Sequence, residues 1–285
     1  MQSVLVNIGC GATWHPSWTN LDVRPLDPCV RSWDVSHGLP FGNEEVDACY
    51  ASHLLEHLAP DQAEVLMAEC LRVLRRGGVI RLAVPDLEAI TREYLRVLGQ
   101  AESGDQAAVE QYRWIMLELL DQLVRDSSGG EMEQYLRTHA RVTADYVMAR
   151  IGPEAMHHMD LERTPNGSVG PCEPPRFGVR SMISAVARKI RAACFSTGWS
   201  VRSLLMAIGE QEALRVGQFR LSGECHRWMY DRFSLRQLLE QCGFSEVRTC
   251  SAFESRIDGF ASFRLDVVQG RVRKPDSLFM EGLKP

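Results

Sequence analysis

The 285-residue sequence contains no C-x-x-C pair; its nine cysteines, an odd number, are scattered along the chain. That pattern argues against a disulfide framework and a thiolate zinc site, and it reads as a set of reduced thiols. No apolar run approaches the length needed to span a bilayer. The apolar stretch near the start is short and lacks the cationic flank of a secretory leader, so a cytoplasmic location is expected. An excess of positive charge is also missing. With a formal net charge of −5, no global field is available to hold a polyanion, and general nucleic-acid binding is not expected. The full G-x-G-x-x-G fingerprint of dinucleotide sites is absent as well.

The sequence does contain a short apolar strand, Val4 to Ile8, running into Gly9-Cys10-Gly11 and followed by an acid, Asp22, at the end of the next strand. A buried strand ending in glycines marks a backbone that a ligand approaches closely, and an acid at the neighbouring strand end can accept both hydroxyls of a ribose. Asp22 follows Gly11 by eleven residues, not about twenty as in dinucleotide sites. That spacing leaves no room for a first helix aimed at a pyrophosphate. A cofactor with a ribose but no phosphates fits this spacing, and S-adenosylmethionine (SAM) is the candidate.

Further along, Cys29 to Trp33 approaches a second acid, Asp34, and the strand Val46 to Ala51 delivers Ser52-His53-Leu54-Leu55-Glu56-His57. Asp61 with Glu64 predicts a helix start of capping-box type, and Leu66, Cys70, Val73 and Leu74 give that helix one apolar face. The helix is expected to stop at Gly77-Gly78, after which Val79 to Val84 reads as another buried strand closed by Pro85-Asp86.

Together, Asn7 to Gly11, Asn20 to Asp22, Trp33 to Val35 with Leu39-Pro40-Phe41, Ser52 to His57, and Leu71 to Gly78 before Val84-Pro85-Asp86 resemble class I SAM-dependent methyltransferases. Within that class the likeness is to the type-11 group found beside glycosyltransferases in surface-polysaccharide gene clusters. The segments Asp121 to Arg125, Gly129 to Met132 and Arg271 to Leu278 resemble the same group. The resemblance implies an α/β fold, a Rossmann-like methyltransferase sheet, here with an inserted α-helical cap. It also implies that Gly9, Cys10 and Gly11 support the methionine part of SAM, Asp22 holds the ribose, Asp34 with Val35 faces the adenine, and Ser52 with His53 lies near the sulfonium.

His53 to His57 literally match H-x-x-E-H, an inverted zinc-peptidase signature. That motif belongs inside a helix, whereas here it follows a strand directly. His53, Glu56 and His57 also resemble the E-x-x-E-H metal ligands of some RNA-terminal and quinone methyltransferases, with histidine replacing the first glutamate. Packing or pocket-shaping histidines are the preferred reading, with a general-base role for His53 or His57 as a further alternative, and no metal is assigned from the sequence.

From about residue 91 to 223 the pattern changes to amphipathic helices, read as an insertion that roofs the active site and shapes the acceptor pocket; residues 1–90 and 224–285 form the SAM-binding core. Val109 to Leu123 make one helix, broken at Ser127 to Gly130, and Leu136, Ala140, Val147 and Ile151 mark a second. A Pro/Gly-rich stretch between Arg163 and Arg180 reads as a mobile lid or a disordered segment. The acid-free stretch that follows carries Arg176, Arg180, Arg188, Lys189, Arg191 and Arg202. This face is either solvated or, through residues 176–202, makes peripheral contact with an anionic membrane or a phosphorylated acceptor. Ser234 with Gln237 opens a last core helix ending at Gly243, before final strands at Val247 to Cys250 and Ser277 to Glu281.

A sugar hydroxyl is a poor nucleophile at neutral pH and needs a base, for which histidine suits. His53, His57 and His226 are the catalytic candidates, with Glu56 or Asp86 as orienting acids. The expectation is a SAM-dependent O-methyltransferase acting on a sugar, glycan or glycan precursor as its small-molecule or glycan acceptor. Its rivals are a metal-assisted methyltransferase for another small molecule and a non-catalytic SAM-fold assembly partner.

Overall fold

A computed structural model describes residues 3–153 and 201–285. The chain divides into two compact units, Met1–Asp160 with Gly223–Pro285, and Leu161–Ser222. The Pro/Gly-rich stretch 163–180 and the side chains of the basic stretch 176–202 lie outside the described residues. In the smaller unit the described part is one helix, Val201–Arg220, with an Arg215–Glu212 ion pair at 2.7 Å. No described helix is long and apolar enough to cross a membrane.

The larger unit is built on seven strands: β1 (Leu5–Ile8), β2 (Thr19–Asp22), β3 (Val30–Ser32), β4 (Val46–Ser52), β5 (Leu74–Pro85), β6 (Ser245–Cys250) and β9 (Ser277–Leu283). They are ordered β3-β2-β1-β4-β5-β9-β6, and β9 runs antiparallel to both its neighbours. Strands β1 to β5 pair in parallel. The chain steps outward from β1 to β3 and then returns to the other side of β1 as β4, so a topological switch point lies between β1 and β4. In open parallel sheets this crevice, at the carboxyl ends of the strands, is where ligands bind. The segment between β1 and β2 is turn without a helix, as the spacing predicts. A small ribbon, β7 (Val267–Val268) with β8 (Arg271–Val272), precedes β9.

Helix α1 (Pro60–Val73) buries Ala63, Leu66, Met67, Cys70 and Val73 on one stripe against the sheet, as amphipathic spacing requires. Its ends differ from expectation. The first turn is capped at Ala59, whose N–H donates to Gln62 Oε1 at 3.1 Å, with Pro60 at the first helical position, and not by Asp61 with Glu64. It ends at Val73, not at the glycine pair, because Leu74 is drawn into the sheet opposite Val46. Gly77 and Gly78 lie in the irregular start of β5, where a Cβ on Gly78 would stand 2.8 Å from Arg75 O.

Helices α2 (Leu87–Glu102), α3 (Gln106–Val124), α4 (Gly130–Thr138) and α5 (Ala140–Ile151) follow within the same unit. Ile90, Val97, Ala108 and Ile115 form one apolar cluster; Trp114, Tyr135, Leu136 and Val147 form another. The break at residues 127–130 is present, but the second predicted helix is two, α4 and α5, separated at His139. Helix α6 is Val201–Arg220 of the smaller unit. The last helix, α7 (Arg232–Gln241), is capped by Asp231, whose Oδ1 accepts from Ser234 N at 2.8 Å while Ser234 Oγ accepts from Asp231 N. Ser234 is thus the reciprocal partner inside the cap, and Gln237 takes no part in it. On the sheet's other face, fully buried Arg81 of β5 donates to Asp266 and Glu281 at 2.8 and 2.9 Å, so this interior cation is paired, as burial requires.

Candidate functional site

Two cavities open at the strand ends. The first, about 500 Å³, is lined by Asn7, Gly9 to Thr13, Tyr50, Ser52, His53, Arg273 and Lys274, the ends of β1 and β4 at the switch point. Its floor is backbone. Gly9 and Cys10 N–H donate to Leu21 O at 2.8 and 3.1 Å, tying the turn to β2. Asn7 Nδ2 donates to Thr13 O and to Asn20 Oδ1, which fixes the loop's return. Gly9 and Gly11 have φ of +64° and +52°, the left-handed region that glycine enters without strain. A Cβ on Gly11 would meet nothing within 4 Å, so the missing side chain leaves open room on the cavity wall. Burial, and then the charge of Asp22, push the Cys10 thiol up to about 11, so Cys10 is a neutral wall residue.

Asp22, Asp34 and Val35 line neither cavity. Asp22 is one hydrogen bond away. Its Oδ2 accepts from Gly11 N and its Oδ1 from Arg24 N, both at 2.8 Å, and each carboxylate oxygen keeps a further lone pair. Asp34 is exposed and caps a 3₁₀ turn at Val35–His37 by accepting from Ser36 N; that bond holds its carboxyl below the usual range.

The second cavity, about 510 Å³, is lined by His53, Glu56, His57 and His226 together with α3 and α4 residues such as Gln122, Arg125 and Met132, and by Lys274 and Asp276. His53 and Lys274 line both cavities. His53 has φ +52°, an uncommon conformation for a residue with a side chain, and one met where function over-determines the backbone. Its Nδ1 faces Glu56 Oε1 at 3.1 Å and its Nε2 lies 2.8 Å from Ser277 Oγ.

Glu56 is fully buried. Burial alone would raise its pKa, but the contact with His53 and the surrounding imidazoles outweigh it and hold the carboxyl at about 2. His57 and His226 meet edge to face, ring centroids 4.9 Å apart. Burial pushes the His226 pKa down to about 3 and lowers that of His57, in each case against the attraction of Glu56. Both imidazoles are therefore neutral near pH 7. Backbone bonds assemble the cluster: Arg227 and Trp228 N–H donate to Glu56 O, and His226 N–H to Gln122 O at 2.9 Å.

Asp86 does not join this group. It caps α2, accepting from Ala89 N at 3.1 Å, and lines neither cavity. Sequence reasoning missed Lys274, Asp276, Ser277 and Arg273, whose Nη2 reaches Ser52 Oγ at 3.3 Å. The Arg271 to Leu278 run marks the segment, but nothing local shows that it folds over β4.

Residues 17–82 match the family model described as a methyltransferase domain. The matched stretch runs from just before β2 into β5 and includes β4 at the switch point. No curated protein matches. Among solved structures, the chain is similar to a Haloferax volcanii complex between the Trm112 methyltransferase activator and a methyltransferase (11% identity, 100% of this chain and 82% of that one, TM-score 0.38). It is also similar to a SAM-dependent methyltransferase from Archaeoglobus fulgidus (10% identity, 99% and 86%, TM-score 0.38).

Proposed function

We propose that this methyltransferase domain methylates a hydroxyl of a sugar or glycan precursor, with SAM in the first cavity and the acceptor in the second. The observation that carries the reading is that the two cavities share His53 and Lys274, so a donor and an acceptor would meet across one imidazole. The first cavity suits the cofactor: its volume lies within the range of small-molecule sites, Gly11 leaves a bare backbone wall, and Asp22 has lone pairs to spare for ribose hydroxyls. Bound SAM supplies an electrophilic methyl on a sulfonium.

The residues of this chain align and deprotonate. Gly9, Cys10 and Gly11 bear the methionine end, Asp22 the ribose, Asp34 with Val35 the adenine edge, and Ser52 the wall near the sulfonium. Helices α3 and α4 line the acceptor side and exclude water, so that in-line geometry is imposed on the acceptor oxygen. His53 Nδ1 stands 3.1 Å from the ionised Glu56 carboxylate, which favours the tautomer with its proton on that nitrogen and leaves the Nε2 lone pair on the side of Ser277 Oγ, 2.8 Å away. An acceptor hydroxyl replacing Ser277 there would give its proton to Nε2, while SAM held in the first cavity would supply the methyl group to its oxygen. Of the three candidate histidines, His53 alone lines both cavities, which favours it as the base.

The test is calorimetric titration of SAM and its demethylated product into the wild type and Asp22→Ala, followed by labelled methyl transfer to a panel of nucleotide sugars and glycans. Binding lost in Asp22→Ala and label in a base-stable ether support the reading. Label confined to amine acceptors overturns it.

A further inference from the structure

Glu56 presents a buried carboxylate whose two oxygens have no hydrogen-bond partner; the His53 contact at 3.1 Å falls outside directed hydrogen-bond geometry. His226 Nδ1 is likewise buried and unpartnered, in a residue only 6% exposed. Unsatisfied buried groups of this kind are costly and call for a missing partner. Both belong to the lining of the second cavity. One ligand atom from each of Glu56, His57 and His226 lies within 4.8 Å of the other two.

We propose that Glu56, His57 and His226 form a binding site for a divalent transition-metal ion of the zinc type in the wall of the second cavity. Two imidazoles and a carboxylate suit a borderline cation, whereas magnesium and calcium demand oxygen ligands throughout. Three protein ligands also leave coordination positions open towards the cavity, the arrangement of zinc sites that act on substrates.

The second layer is already in place. His57 Nδ1 is 3.3 Å from Cys225 O. With its proton directed at that carbonyl, Nε2 is left unprotonated for the ion, the usual way a ligating histidine is oriented. Ligand atoms about 2.1 Å from a shared ion in tetrahedral geometry stand about 3.4 Å apart, so loading draws the most separated of the three side chains together by roughly an ångström or more. An ion here would polarise the acceptor hydroxyl beside His53. That role rests on the proposed function; the site itself does not.

The full-length chain, stripped with a chelator and dialysed, is titrated with Zn²⁺ by calorimetry and with Co²⁺ by visible absorption. One ion per chain is expected, with visible bands of a nitrogen and oxygen ligand field. His57→Ala and His226→Ala are expected to weaken uptake at least tenfold, and His53→Asn to retain it. Circular dichroism and melting establish that each variant is folded, and His226→Asn replaces any that is not. No uptake by the wild type, or equal uptake by the folded histidine variants, overturns the site. Because the readout is ion uptake, that failure leaves the methyltransferase reading standing, and loss of SAM binding elsewhere leaves the ion site standing.

Discussion

The two cavities share a wall but are made differently. The first cavity, the proposed donor side, takes about half its lining from one short stretch, the turn after β1, closed by amides donating to Leu21 O and Asp22. The second, the proposed acceptor side, is gathered from the turn after β4, from α3 and α4, from the segment ahead of α7 and from the loop before β9. A backbone cradle tolerates changes of side chain and fits a donor that never varies. A wall of side chains can change residue by residue, which is how one fold comes to serve many acceptors.

The sharpest way to break this comparison is at the residue both sides share. His53→Asn keeps a side chain that tolerates the left-handed backbone and removes the base. A fall in kcat of roughly 10²- to 10⁴-fold is expected, with SAM affinity nearly unchanged. If SAM affinity falls in step with kcat, His53 belongs to the donor side alone. Asp22→Ala is the reverse probe. Losing charge-assisted bonds to the ribose, worth about 1.5–3 kcal/mol, predicts a rise of roughly 10- to 100-fold in the SAM dissociation constant. The same variant should leave Zn²⁺ uptake at the other cavity untouched.

That asymmetry also decides what could be read from the sequence. The donor turn is local. Glycines and an acid within sixteen residues specify it, and the strand ends, the missing helix and the β4 exit were all legible. Helix ends were less so, because Leu74 is pulled into the sheet by Val46 and no signal within α1 records that tertiary demand. His226 could be nominated but not placed, since its position depends on Glu56 O and Gln122 O, groups distant in the chain. Asp86 looked like a site acid at a strand end and proved to be a helix cap, a role equally compatible with its neighbours. The separation of α4 from α5 at His139 was hidden by an apolar pattern that continues across the break.

Within the donor turn itself, two glycines separate fold from function. Alanine at either Gly9 or Gly11 meets roughly 1–2 kcal/mol of left-handed strain. At Gly9 the added Cβ also stands 2.8 Å from Leu54 Cδ1, the side chain that follows His53, so Leu54 must move. At Gly11 the methyl enters open space that the cofactor is proposed to use. Urea unfolding should therefore rank Gly9→Ala as the less stable variant, whereas calorimetry should rank Gly11→Ala as the weaker SAM binder relative to its stability. The opposite order on both measurements would assign the open wall to no ligand.

The last effect is on stability, and it separates the second cavity's wall from the rest of the chain. His226 is held neutral, its folded pKa near 3 against an ordinary 6.5. Between those values the unfolded chain binds a proton that the folded chain refuses, so stability rises with pH across that window and is complete above about 6.5. The limiting slope for one such proton is about 1.4 kcal/mol per pH unit. Glu56, held near 2 against 4.5, adds a loss in the same direction only below about 4.5, while buried Glu118 and half-buried Asp86, whose carboxyls are raised by burial, act in the opposite sense, so the imidazole contribution is read as the difference between wild type and a His226 variant. In chelator-treated protein, melting temperature should fall more steeply from pH 6.5 to 4.5 in the wild type than in His226→Gln. Adding Zn²⁺ should steepen the wild-type loss alone, because protons then compete with the ion for the same nitrogens.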